Sequence, residues 1–261
     1  MLLLRSLLYA LAFYTVTAAM LVLGSWLLLA PRSWAMAALI THGRVSVWLL
    51  EIICGTRLEV RGREHLPEGA ALIAAKHQSA WDTFGLVPLL RDPAMIMKRE
   101  LLWIPFYGWF SAKFRMIFVR REAGPAALRR MAREARERAS AGRHIVIFPE
   151  GTRRPPGAEP AYRPGVLFLY EALGVPCVPV ALNSGLFWPR RSLRRYPGTI
   201  VVQFLPPIPP GLPRAAFKAR LIEAIETASD ALILEAARAP NPPPIPAEAR
   251  KKLGIGPESL S

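Results

Sequence analysis

Cysteine, histidine and acidic residues are all scarce in this chain. Of 261 residues, two are Cys, four are His and three are Asp, and 19 carboxylates stand against 34 Lys and Arg, a net charge of +15. Cys54 and Cys177 lie in apolar sequence, so they give no disulfide framework and suit core packing. Neither has the polar neighbours of an acyl-enzyme nucleophile. No metal-ligand cluster, zinc-finger spacing, clear helix-turn-helix, internal repeat or Gly-x-Ser-x-Gly elbow is present. The shortage of acid points to an anionic partner, either nucleic acid or an anionic membrane surface.

The leading segment decides for the membrane and against nucleic acid. Ser6 to Ala30 carries no charge and is rich in Leu, Ala and Val. As a helix it is roughly 37 Å long, against a hydrocarbon core of roughly 30 Å. Small residues at Ala35-Met-Ala37 offer a cleaved signal peptide as the alternative. The apolar run is long for one, and Pro31-Arg32 interrupts it before that site, so a retained anchor is preferred. Residues 33–54 form a second apolar stretch, broken by His42, Gly43, Arg44 and Glu51. They suit an interfacial helix, or one packed beside the first in a re-entrant pair. The Arg excess after the anchor favours a cytoplasmic body.

After a short strand at Leu58–Arg61 the chain alternates. Strands are expected at 70–75, 94–98, 115–119, 144–148, 176–182 and 199–205, and helices at 82–90, 101–112, 124–140, 164–173 and 214–237. This pattern gives an α/β fold, a single layered domain with a largely parallel central sheet flanked by helices. The expected organisation is an anchoring segment over 1–54, the α/β domain over 55–238, and a Pro-rich mobile tail over 239–261.

Two strand ends carry the chemistry. The first is His77-Gln-Ser-Ala-Trp-Asp82, which follows the apolar run Ala70–Ala75. Five residues of continuous helix leave two side chains about 140° apart. His77 and Asp82 therefore meet only if His77 lies on the turn and Asp82 in the first helical turn. Asp82 then fixes the imidazole tautomer, and the other ring nitrogen is free to take a proton from an alcohol. A structural reading stands beside this one: Ser79-Ala-Trp-Asp82 is also a capping box, with His77 a satisfied turn residue. The two are compatible. The second strand end, Ile145–Phe148, runs into Pro149-Glu-Gly-Thr-Arg153, which supplies a Gly for close approach, a hydroxyl, and an Arg able to grip phosphate. Its alternative is an ordinary surface turn. Arg120 to Arg143 holds eight Arg, and Pro189–Arg195 four more. They read either as solvated faces or as contacts to anionic headgroups or substrate.

His-x-Ser-x-x-Asp, then Phe-Pro-Glu-Gly-Thr-Arg, then Val178-Pro-Val-Ala-Leu-Asn-Ser184, resembles the glycerolipid acyltransferases, and among them the bacterial 1-acylglycerol-3-phosphate acyltransferases. The resemblance covers roughly residues 50 to 210. It implies acyl transfer from a thioester carrier, acyl-CoA or acyl-carrier protein, to a lysophospholipid hydroxyl, with no cofactor or metal. It implies that His77 is the general base, Asp82 its orienting partner, and Glu150, Gly151, Thr152 and Arg153 the turn that binds glycerol phosphate. The bacterial inner membrane is the implied location, with the catalytic domain on the cytoplasmic side. Two departures stand out. Lys76 occupies a position often Asn in the family. Arg115-Met-Ile-Phe-Val-Arg-Arg121 stands where Gly-x-Ile-Phe-Ile-Asp-Arg is usual, so Arg121 alone matches the polar end of that motif. Arg121 is the implied second cation for the acceptor. Another lysolipid acceptor, such as a lyso-ornithine lipid, and a non-catalytic membrane-binding protein are the competing readings.

Overall fold

The computed structural model describes residues 1–120 and 124–256. Its centre is a seven-stranded sheet of β1 (Thr56–Arg61), β2 (Ala71–Ala75), β3 (Ala94–Lys98), β4 (Ile117–Val119), β5 (His144–Ile147), β6 (Cys177–Leu182) and β7 (Gly198–Phe204). The spatial order is β1-β7-β6-β2-β5-β3-β4. Every neighbouring pair is parallel except β6 and β7. The middle strands β6, β2 and β5 are buried along their whole length, as continuous apolar runs inside a doubly covered parallel sheet must be.

Alternation along β2 assigns its two faces. Leu72 and Ala74 pack with Met131 of α5 (Gly124–Ala139), Leu169 of α6 (Pro164–Leu173) and Leu221 of α8 (Arg214–Ala237). Ala71, Ile73 and Ala75 pack on the opposite face with Tyr9, Leu50 and Phe110. Continued past the strand, the same alternation sends Lys76 toward α8 and His77 the other way.

The second face is covered by an N-terminal hairpin of α1 (Leu2–Leu23) and α2 (Arg32–Cys54), joined through a 3₁₀ turn at Ser25–Leu28. Both helices are long and apolar enough to cross a membrane. The second is one continuous 23-residue helix packed beside the first, as one of the two sequence readings expects. Its polar interruptions find places: His42 Nε2 meets Thr17 Oγ1 at 2.9 Å, and a Cβ on Gly43 would stand 2.9 Å from Phe84 O. The hairpin touches the domain at both ends. The Arg195 amide donates to Ser6 Oγ at 2.8 Å near the start of α1, and Lys113 Nζ donates to Leu28 O at 2.9 Å at the far turn. Arg32 grips Asp92 with two bonds of 2.8 and 2.6 Å.

Three other expectations change, and one element is added. The helix expected at 82–90 is α3 (Asp82–Gly85) followed by a 3₁₀ turn at Val87–Leu89, since Pro88 cannot continue an α-helix. The helix expected at 101–112 is a 3₁₀ turn at Arg99–Trp103 and then α4 (Tyr107–Lys113), with Pro105 between them. A short α7 (Ser184–Phe187) ends β6. The segment expected to be a mobile tail folds back onto the domain as far as residue 256. Ile245 and Ala249 are buried, residues Ala247–Leu253 form α9, and Lys252 Nζ meets Asp230 Oδ2 at 2.7 Å. The apolar residues within and after the Pro run supply the burial that composition alone concealed.

Candidate active site

β2 and β5 are adjacent and parallel, with Ala74 opposite Ile147. The residues that follow each strand therefore emerge side by side at the carboxyl edge of the sheet, where open α/β sheets bind ligands. The His77 ring stacks on Phe148, centroids 3.9 Å apart and planes 17° apart. The Arg154 amide returns to His77 O at 2.9 Å, locking the two turns together.

His77 Nδ1 lies 2.9 Å from Asp82 Oδ2. The same carboxylate oxygen accepts the amides of Gln78 and Ser79 at 2.8 and 2.9 Å. The other oxygen accepts Ser184 Oγ at 2.5 Å. Asp82 thus meets four donors in a fully buried position. A carboxylate is acceptor-only when ionised, so His77 carries its proton on Nδ1. Nε2, on the opposite edge of the ring, keeps its lone pair. Asp82 closes the Ser79 turn and holds the His77 ring with one and the same oxygen.

His77 opens onto a cavity of about 1050 Å³. Phe13 of α1, Leu39 of α2, Met97 of β3 and Phe110 of α4 are among its apolar walls. Gly151, Thr152 and Arg153 line the same cavity. Gly151 has φ 65°, a conformation that favours glycine, and a Cβ there would press on Arg163 at 3.1 Å. Arg120, Arg163 and Arg190 also line the space, and Arg190 Nη1 donates to Arg153 O at 3.1 Å. The arrangement suits an apolar chain with an anionic end. Arg121 lies outside the described residues.

Glu150 stands apart from Gly151, Thr152 and Arg153. Its carboxylate is buried on the α8 side, not in the cavity wall. Oε1 lies 3.2 Å from Lys76 Nζ and 3.6 Å from Arg154 Nε. Lys76 Nζ also meets Glu226 Oε1 at 2.7 Å, and Tyr162 OH donates to that oxygen at 2.9 Å. Burial pushes the Glu150 carboxyl above the usual range, against the opposing pull of Lys76. Burial and the Glu226 charge push the Tyr162 hydroxyl up as well. Glu150 is thus the underside of the turn whose upper side carries Thr152 and Arg153. Sequence reasoning missed the partners of this network and the contact of Ser184 with Asp82. For Ser184 a signal existed, since the strand-end motif Val178–Ser184 already contained it.

Fold and site together define an α/β domain in which an oriented histidine faces a lipid-sized apolar cavity. Residues 57–183 match the model of the Acyltransferase family. It is 40% identical over 159 residues to the 1-acyl-sn-glycerol-3-phosphate acyltransferase of Pseudomonas aeruginosa, covering 61% of this chain and 62% of that protein. It is 30% identical over 169 residues to 1-acyl-sn-glycerol-3-phosphate acyltransferase alpha of Homo sapiens, covering 64% of this chain and 60% of that one. The chain thus spans about three fifths of the length of these curated relatives. The crystal structure of the 1-acyl-sn-glycerophosphate (LPA) acyltransferase, PlsC, from Thermotoga maritima has the same fold. Its TM-score is 0.75 at 24% identity, covering 89% of this chain and 98% of that chain.

Proposed function

We propose that the protein transfers a fatty acyl group from an acyl thioester, acyl-CoA or acyl-carrier protein, to the free hydroxyl of 1-acylglycerol-3-phosphate, forming phosphatidic acid. The observation that carries this reading is the His77–Asp82 pair, 2.9 Å apart, opening on an apolar cavity beside Thr152 and Arg153. The names borne by the relatives point to the same acceptor.

In the proposed reaction His77 Nε2 takes the proton of the acceptor hydroxyl as its oxygen attacks the thioester carbonyl. The imidazolium that forms is held by Asp82. The tetrahedral intermediate then expels the thiolate, which takes the proton back from Nε2. A thioester is already activated, so no covalent enzyme intermediate is required, and one positioned base contributes typically about 10²–10⁴-fold. Thr152 and Arg153 hold the glycerol phosphate, Arg153 by its guanidinium fork.

The α1–α2 hairpin holds the protein at the cytoplasmic face of a bacterial inner membrane in this reading. It lies within one leaflet. In a spanning hairpin the Ser25–Leu28 turn would stand a bilayer away from the domain, whereas Lys113 reaches Leu28 O at 2.9 Å. Purified protein given a panel of lysolipids, each with labelled acyl-CoA and acyl-carrier protein, tests the proposal. Preferential formation of phosphatidic acid is expected. Preference for a lyso-ornithine lipid overturns the acceptor, and no product from either donor overturns the reaction.

A further inference from the structure

The cavity wall at Arg99–Lys113 has an outer face that the chemistry above does not use. Its inward side chains Leu101, Tyr107 and Phe110 line the cavity. Its outward side chains are large and apolar, with Trp103 82%, Trp109 53% and Ile104 47% exposed. Clusters of this kind on a protein surface mark interaction sites.

The display is built rigidly. Phe106 sits at φ 59°, a costly conformation for a residue with a side chain, and its ring lies 5.1 Å from that of Trp109. The Gly108 amide donates to Ile104 O at 2.8 Å. A Cβ on Gly108 would stand 2.1 Å from Leu102 O, so the 3₁₀ turn and α4 touch backbone to backbone. Lys113 ties the same segment to Leu28, in the turn between α1 and α2. Around that turn Trp26, Leu29 and Trp34 are exposed too. Two groups of exposed tryptophans thus sit on abutting elements, with Lys98 exposed at the edge of one. Tryptophan concentrates where a bilayer meets water, and cationic side chains there attract anionic headgroups.

We propose that Arg99–Lys113 is a second bilayer-contacting element, seated at headgroup depth beside the hairpin, and that lipid acceptor enters the cavity laterally along it. The occupant is a bilayer carrying anionic headgroups. Continuity with the hairpin and the net charge of +15 favour it over a protein partner. The proposal rests on the membrane reading of the hairpin given above, and its test separates the two.

Full-length protein carrying Trp103→Cys or Trp26→Cys is labelled with an environment-sensitive fluorophore, Cys54 and Cys177 being buried. It is mixed with phosphatidylglycerol–phosphatidylethanolamine vesicles containing lipids brominated near the headgroup. Both labels are expected to shift to the blue and to be quenched to a similar extent. Quenching at 26 without quenching at 103 overturns this proposal and leaves the hairpin reading standing. Quenching at neither position overturns both. Shielding of position 103 from an aqueous quencher before vesicles are added assigns the face to a protein contact and overturns the proposal. A second arm uses Trp103→Glu with Trp109→Glu. Turnover of a vesicle-embedded acceptor is expected to fall about tenfold, with turnover of a short-chain, water-soluble acceptor unchanged. Equal losses on both acceptors mean a damaged cavity wall and overturn it.

Discussion

His77 and His144 sit at opposite ends of neighbouring strands, and they use their rings differently. His144 opens β5, is buried, and engages both nitrogens. Nδ1 accepts the Arg91 amide at 3.2 Å, and Nε2 donates to Pro67 O at 3.1 Å. Among the described residues His77, beyond the end of β2, spends only Nδ1, on Asp82. A ring with every valence satisfied holds structure; a ring with one to spare, facing a cavity, can move a proton. Lys76 and Glu150 repeat the contrast one residue away from His77 and Gly151. They face α8, are buried, and are held by ion pairs with one another, with Glu226 and with Arg154. The two faces of the sheet thus divide the work, one holding the turns and the other exposing them.

The sharpest way to break this contrast is at His77 itself. His77→Ala is expected to reduce turnover by about 10²–10⁴-fold while leaving the unfolding transition near that of wild type. Asp82→Asn is expected to lower turnover and stability together, because Asp82 also accepts Gln78, Ser79 and Ser184. Unchanged turnover in well-folded His77→Ala would place His77 with His144 as a structural residue.

The opposite effect is expected on the other face. Lys76→Met leaves buried Glu150 with only Arg154, at 3.6 Å, and half-buried Glu226 without its cation, and removal of one partner from a buried pair costs about 3–5 kcal/mol. Denaturant titration in detergent checks this. Adding Glu226→Gln to Lys76→Met is expected to recover part of the loss, as a coupled network requires. A Lys76→Met protein as stable as wild type would mean that the network does not hold the turn.

Arg153 lies where the two faces meet. Loss of one charge-assisted bond to phosphate is expected to cost on the order of 1.5–3 kcal/mol, or roughly 10–150-fold in kcat/KM, for Arg153→Ala. The loss should be much smaller on an acceptor without phosphate. Arg153→Lys should recover only part of it, since it keeps the charge and loses the fork. Equal losses on both acceptors would move Arg153 to the structural side.

These divisions were unequally legible in the sequence. The buried strands announced themselves as apolar runs, and His77, Asp82 and Arg153 as polar residues just past two of them. Lys76 and Glu150 are adjacent to those residues in sequence, yet their direction needs the pleat, and their partner Glu226 needs α8 folded against the sheet. The polar residues of α2 read as interruptions because their neighbours, Thr17 and Phe84, belong to distant elements. Pro88 and Pro105 were visible, and each divides the helix expected there.

The smallest effect sharpens the contrast from the His144 side. Burial holds the His144 imidazole below its ordinary pKa, against the opposing pull of the Pro67 and Gly69 carbonyls. The folded protein therefore keeps His144 neutral where the unfolded chain, with an ordinary pKa near about 6.5, takes up a proton. Stability from this group is fully present above the unfolded value and is lost as pH falls below it. The slope is at most about 1.4 kcal/mol per pH unit, one proton's worth. Protonation would also set an N–H against the Arg91 amide that Nδ1 now accepts. Denaturant unfolding at pH 8, 7, 6 and 5.5 is expected to show a decline in wild type that His144→Gln lacks, although that variant starts less stable at pH 8. Parallel declines in the two proteins would assign the acid sensitivity to other groups and leave His144 a buried residue whose proton does not bear on folding.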